Sequence, residues 1–129
     1  MGYERFVDMT NCLVVDPSED SCSSVCDLLS SYGFTLETET DGHTALERCK
    51  REMPDVVMFS SAISDMDVSA FLKALNKRGH RTPPVAVMYC ETADAGAIGR
   101  AVWDGAQGCM VKPFDARVLD DTLRQSGVI

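Results

Sequence analysis

The chain has 129 residues, 45% apolar and 25% charged, which is the composition of one globular domain with a full-sized core. Twenty acidic residues against twelve basic ones give a formal charge of -8. That charge repels phosphate backbones and anionic lipid and argues against nucleic-acid or membrane partners. No apolar run approaches the ~20 residues that cross a bilayer. The opening residues also lack the basic-then-apolar form of an export signal, so a cytoplasmic protein is expected. Six cysteines (Cys12, Cys22, Cys26, Cys49, Cys90 and Cys109) read as free thiols packed as small apolar groups, because no CxxC pair is present.

Cys12–Val15 is a short apolar run ending at Asp16, the pattern of a buried parallel strand. Ser18 is placed to cap a helix that repeats Cys22, Val25, Cys26 and Leu29 on one face, with Tyr32-Gly33 as its stop. A second strand over 34–39 and a helix capped by Asp41, with Ala45, Leu46 and Cys49 inward, close at Pro54. Val56–Phe59 is the clearest central strand, with Ser60 at its carboxyl end. A loop over 61–67 leads to a third helix carrying Phe71, Leu72 and Leu75. Gly79 and Pro83-Pro84 precede a fourth strand over 85–89. The fourth helix, over 93–104, is weakened by Gly96 and Gly99, each costing about 1 kcal/mol relative to Ala. A fifth strand, Gly108–Val111, runs into Lys112-Pro113-Phe114. Asp115 then caps a last helix with Val118, Leu119, Thr122 and Leu123 inward.

Five strand-then-helix units predict an α/β fold: a doubly wound, five-stranded parallel sheet between two helical layers. Asp16, Ser60, Cys90 and Lys112 all fall at or just past the carboxyl ends of strands. Ligands of such sheets bind along that edge, so these four positions are the candidate site.

Several segments in order resemble the receiver domain of two-component response regulators, a flavodoxin-like (βα)5 fold. They are Leu13-Val-Val-Asp-Pro-Ser18, Asp41–Leu46, Pro54–Ser60, Ser64-Asp-Met-Asp67, Gly105-Ala106 and Val111-Lys-Pro-Phe114. The resemblance spans about residues 10–126 and divides the chain into an N-terminal extension over 1–9 and a receiver-like domain over 10–129. It implies an acidic pair holding Mg²⁺, an aspartate that accepts a phosphoryl group, and a hydroxyl and a lysine that bind the phosphoryl oxygens.

Carried over residue by residue, Asp16 fits the first acidic position, but Pro17 occupies the second and Ser60 the acceptor. Counting back from Lys112 puts Cys90 at the hydroxyl position, and a shift of one residue puts Tyr89 there. Cys109 replaces the usual switch aromatic. A serine with no neighbouring base is a poor nucleophile, and one carboxylate is a poor Mg²⁺ site. His43 and His80 are expected away from the strand ends. The reading is therefore a degenerate pocket (Asp16, Pro17, Ser60, Cys90, Lys112) with no catalysis, metal or cofactor, in which Lys112 forms a buried ion pair with Asp16.

Function is then expected to be phosphorylation-independent contact with a signalling protein: a histidine kinase, a phosphotransfer protein or another regulator. Trp103 and Cys109 mark the contact surface, and a homodimer through the fourth helix, fifth strand and fifth helix is a second use of that face. Three other readings compete. One is phosphorylation at Asp65 or Asp67, and another is a sensor of an anionic small molecule or nucleotide. The third, an enzyme on this scaffold, has no nucleophile–base pair or Gly-rich phosphate loop to support it. The only local basic cluster is Lys77-Arg78 with His80-Arg81. The Cys90–Cys109 pair suits a redox switch and the Cys22–Cys26 pair metal ligands, but strict disulfide geometry and the lack of two further ligands make core packing the preferred reading of both. No output domain is expected after the last helix.

Overall fold

The computed structural model describes residues 10–77 and 83–129. The 1–9 extension, Gly79, His80 and most of the basic cluster lie outside the described residues. Five strands alternate with five helices in chain order: β1 (Asn11–Val15), α1 (Glu19–Leu29), β2 (Thr35–Glu39), α2 (Gly42–Arg51), β3 (Val56–Ser60), α3 (Val68–Leu75), β4 (Val85–Cys90), α4 (Ala95–Trp103), β5 (Gly108–Val111) and α5 (Ala116–Gln125). All strand pairs are parallel, in the spatial order β2-β1-β3-β4-β5.

Period-two alternation along the strands divides the apolar residues between two cores. Leu13, Val15, Val57, Phe59, Ala86 and Met88 face α2, α3 and α4, meeting Ala45, Cys49, Phe71, Leu72, Leu75 and Ala101. Cys12, Val14, Val56, Met58, Val87, Tyr89 and Met110 face α1 and α5, meeting Val25, Leu29, Leu119 and Leu123. The result is the expected three-layer sandwich with helices on both faces.

The caps form where the sequence places them. Ser18 Oγ accepts from Ser21 N, Asp41 from Thr44 N and Asp115 from Val118 N. Each supplies an acceptor to one of the unpaired amides at a helix start. Element bounds shift by a residue or two, and some details differ from expectation. β4 extends one residue further, through Cys90. α4 starts later, behind an Asp94 cap. Val118 is 41% exposed, because Leu119 and Leu123 alone take the inner face of α5.

The order of the strands positions the site. The chain winds to one side of β1 for β2 and to the other for β3, so a crevice opens where the carboxyl ends of β1 and β3 diverge. Asp16 follows β1 directly, and Ser60 is the last residue of β3.

Candidate functional site

Asp16 and Ser60 are both buried, at 2% and 4% exposure, the only buried polar or charged residues among those described. A buried carboxylate needs partners for its oxygens. Asp16 has two: Oδ1 accepts from the backbone N–H of Ser18, and Oδ2 accepts from the Tyr89 hydroxyl at 2.7 Å. Tyr89 is itself 1% exposed. Burial first, then the hydrogen bond to Asp16, raises the affinity of its phenol for its proton far above the ordinary value, so it stays a donor.

Lys112 does not pair with Asp16, which corrects the expected buried ion pair. Its ammonium sits 5.4 Å from the centre of the Tyr89 ring, bonds the Ser21 hydroxyl and lies 3.3 Å from Glu91 Oε2. Tyr89 is the physical reason. Its phenol satisfies Asp16 with a neutral donor, and its ring face gives the cation a favourable surface. Phe114 meets that ring edge-on, with centroids 6.2 Å apart. Asp16 and Lys112 therefore open on different cavities. Asp16 borders one of about 270 Å³ with Glu19 and Cys22, and Lys112 borders one of about 480 Å³ with Glu91 and Phe114.

Ser60 is folded onto its own turn, where its Oγ accepts from Ala62 N at 3.0 Å. Pro17, at the second acidic position, is exposed and carries no ligand atom in its side chain. Cys90 and Tyr89 are neighbours on β4 and so project to opposite faces. Ser60 is in register with Tyr89, whereas Cys90 is in register with Val111 and its thiol contacts Met110 O at 3.6 Å. The side chain that reaches Asp16 is thus Tyr89.

These residues do not fit the divalent cation that the resemblance implied. A hard cation takes several oxygens. Here Asp16 is the one buried carboxylate among the described residues, and both of its oxygens already accept hydrogen bonds. Among the described residues no group of three or more acidic, His or Cys side chains converges on a point.

The remaining candidates lie elsewhere. Asp65, in the β3–α3 loop, is bound at both oxygens by the start of α2. Gly42 N donates to Oδ1, and His43 N and Nδ1 contact Oδ2. Those backbone hydrogen bonds hold its carboxyl down to about 2. Asp67 begins α3 without a side-chain cap and lines a cavity of about 350 Å³ with Ser61, Arg100 and Asp104. His43 faces Asp65 and not Ser60. Trp103 is 89% exposed at the end of α4, beside the exposed Val102. Cys109 is half-buried against the core beneath α4, opposite Met88. Four partners escaped the sequence: Tyr89 for Asp16, Ser21 and Glu91 for Lys112, and the α2 amides for Asp65. Alternation along β4 was the one available signal, since it puts Tyr89 on the α1 side of the sheet.

Across residues 12–124 the chain matches the family model of the response regulator receiver domain. It is 29% identical over 119 residues to the transcriptional regulatory protein ZraR of Escherichia coli K12, covering 92% of this chain and 26% of that protein. Over 111 residues it is 28% identical to the sensor histidine kinase RcsC of Salmonella typhimurium LT2, covering 86% of this chain and 12% of that protein. The chain thus spans about a quarter of the length of ZraR. Its structure matches the chemotaxis response regulator CheY4 of Vibrio cholerae with a TM-score of 0.81 at 26% identity, covering 92% of this chain and 98% of that one. No helix among the described residues is long and apolar enough to cross a membrane. With the sheet order and these likenesses agreeing, the chain belongs to the response regulator receiver domain family, the signalling module of two-component systems.

Proposed function

We propose that this receiver signals by protein contact without being phosphorylated at the end of β3, its site held in one arrangement by the Tyr89–Asp16 hydrogen bond. That bond carries the reading. It links two side chains that are each at least 98% buried, and it uses the one buried acidic group among the described residues. Ser60 offers a neutral hydroxyl that accepts from Ala62 N, and the Asp16 carboxylate already accepts from Ser18 N and Tyr89, so nucleophilic attack on a phosphoryl donor lacks its driving group. Lys112, already held by Ser21, Glu91 and the Tyr89 ring, is not left searching for a phosphoryl oxygen.

On this reading the chain is not an enzyme and uses no cofactor. It works by presenting a surface to a histidine kinase, a phosphotransfer protein or another regulator. Trp103 with Val102 forms the exposed apolar part of that surface, and large aromatic side chains supply much of the energy of such contacts. The acidic surface disfavours nucleic acid and anionic lipid as partners.

The test is incubation with acetyl phosphate and Mg²⁺, read by intact mass. The expected outcome is no phosphorylated species. A Mg²⁺-dependent phosphoryl adduct on the wild-type chain, whether at Ser60, Asp65 or Asp67, overturns the proposal. A triple substitution, Pro17→Asp, Ser60→Asp and Tyr89→Thr, restores the acidic set and removes the phenol. It is expected to gain the adduct that the wild-type protein lacks.

A further inference from the structure

Cys22 and Cys26 take no part in the reading above. They stand four residues apart on α1, so their side chains share one face. Both are half-buried and border the same cavity, of about 270 Å³, together with Asp16, Glu19, Thr38 and Glu39. Burial and the neighbouring Cys26 push Cys22 up to about 12, so it is protonated at neutral pH.

Three kinds of chemistry suit paired thiols, and the geometry separates them. Structural zinc requires about four ligands, and among the described residues no third ligand joins these two. A disulfide needs Cβ atoms about 3.5–4.5 Å apart. Residues four apart on a helix hold them at about 5–6 Å, so α1 would have to distort. A single soft atom bonded to both sulfurs spans the wider gap and leaves the helix intact. Charge narrows the choice further. The thiols are protonated and set beside carboxylates, which disfavours any product that adds negative charge there.

We propose that Cys22 and Cys26 form a bidentate site for trivalent arsenic, an element that bonds two thiols with no net charge in the product. Each thiol loses its proton to an arsenic-bound hydroxyl. One As–S bond forms as one As–O bond breaks, and two waters leave for every arsenic bound. No electrons are transferred. The third substituent on arsenic, a hydroxyl or an organic group, remains in the cavity.

The experiment uses the whole chain in a phosphine reductant with one equivalent of phenylarsine oxide, read by intact mass and peptide mapping. One adduct per chain is expected on the peptide that carries both residues. Cys22→Ser and Cys26→Ser should each lose it, whereas Cys90→Ser and Cys109→Ser should keep it. The absence of an adduct overturns the proposal, as does one that survives the Cys22→Ser/Cys26→Ser double substitution. If a serine variant does not fold, mapping of the wild-type protein decides, and an adduct on any other cysteines counts against the site.

Discussion

The Tyr89 hydroxyl is the residue-scale feature on which the strand-end site turns. Removing it leaves one oxygen of a buried carboxylate without a donor, a loss of about 2 kcal/mol for a hydrogen bond to a charged group. Tyr89→Phe is therefore expected to lower stability in urea by about that amount. Lys112→Ala is expected to cost about 1 kcal/mol or less. Its ion pair is with Glu91, a side chain that is 68% exposed, and its contact with the Tyr89 ring is a partly solvated cation–π interaction. Had Lys112 been the buried partner of Asp16, the same substitution would cost about 3–5 kcal/mol. The rank order of the two variants in equilibrium unfolding distinguishes these arrangements. Asp16 could be placed at a strand end from the sequence because an apolar run stops there. Its partner could not, because counting back from Lys112 leaves Cys90 and Tyr89 both open, and the folded sheet sends Tyr89 to the α1 side and Cys90 to the other.

At the scale of elements, the start of α2 depends on a residue from a different loop. Asp65 binds two of the unpaired amides of α2, while Asp41 caps the same helix from within. Asp65 has its folded-state carboxyl held below its ordinary value of 3.8, at about 2. Its contribution is thus present above about pH 4 and is lost as the pH falls through about 2. Asp65→Ala should cost about 1 kcal/mol at neutral pH, the usual worth of a cap, and the difference from wild type should shrink over that acid window in pH-dependent melts. α4 makes the opposite case. Its only buried residue is Ala101. Gly99 is exposed, with nothing near the position a Cβ would occupy. Gly99→Ala should therefore stabilise the protein by about 0.5–1 kcal/mol, read as a higher thermal midpoint. Both glycines of this helix were legible as weaknesses in the sequence because helix propensity is a local property. The Asp65 cap was not, since its amides lie 22 and 23 residues away.

For the whole molecule, the exposed end of α4 supplies its own reporter. Trp103 is the only tryptophan in the chain and is 89% exposed. Its emission should be that of a solvated indole, readily quenched by acrylamide, and should shift to the blue when a partner covers this face. A quench-resistant, blue emission from the isolated protein would mean the surface is already occupied. Trp103→Ala should leave stability within about 0.5 kcal/mol of wild type, as expected for a surface position without buried contacts.

The fold was fully legible in the chain itself. Apolar runs of strand length, amphipathic helices and side-chain caps are set by residues within a few positions of one another, and five such units in a row admit few topologies. The residue types at the strand ends were equally plain, including a proline and a serine where carboxylates were expected. Tertiary structure alone decided which groups meet there. Asp16 and Tyr89 are 73 positions apart, and Lys112 and Ser21 are 91 apart. Whether a buried charge is met by a cation or by a neutral phenol depends on the reach and orientation of side chains from separate strands. No local pattern encodes that competition, because it is settled only when the strands lie side by side.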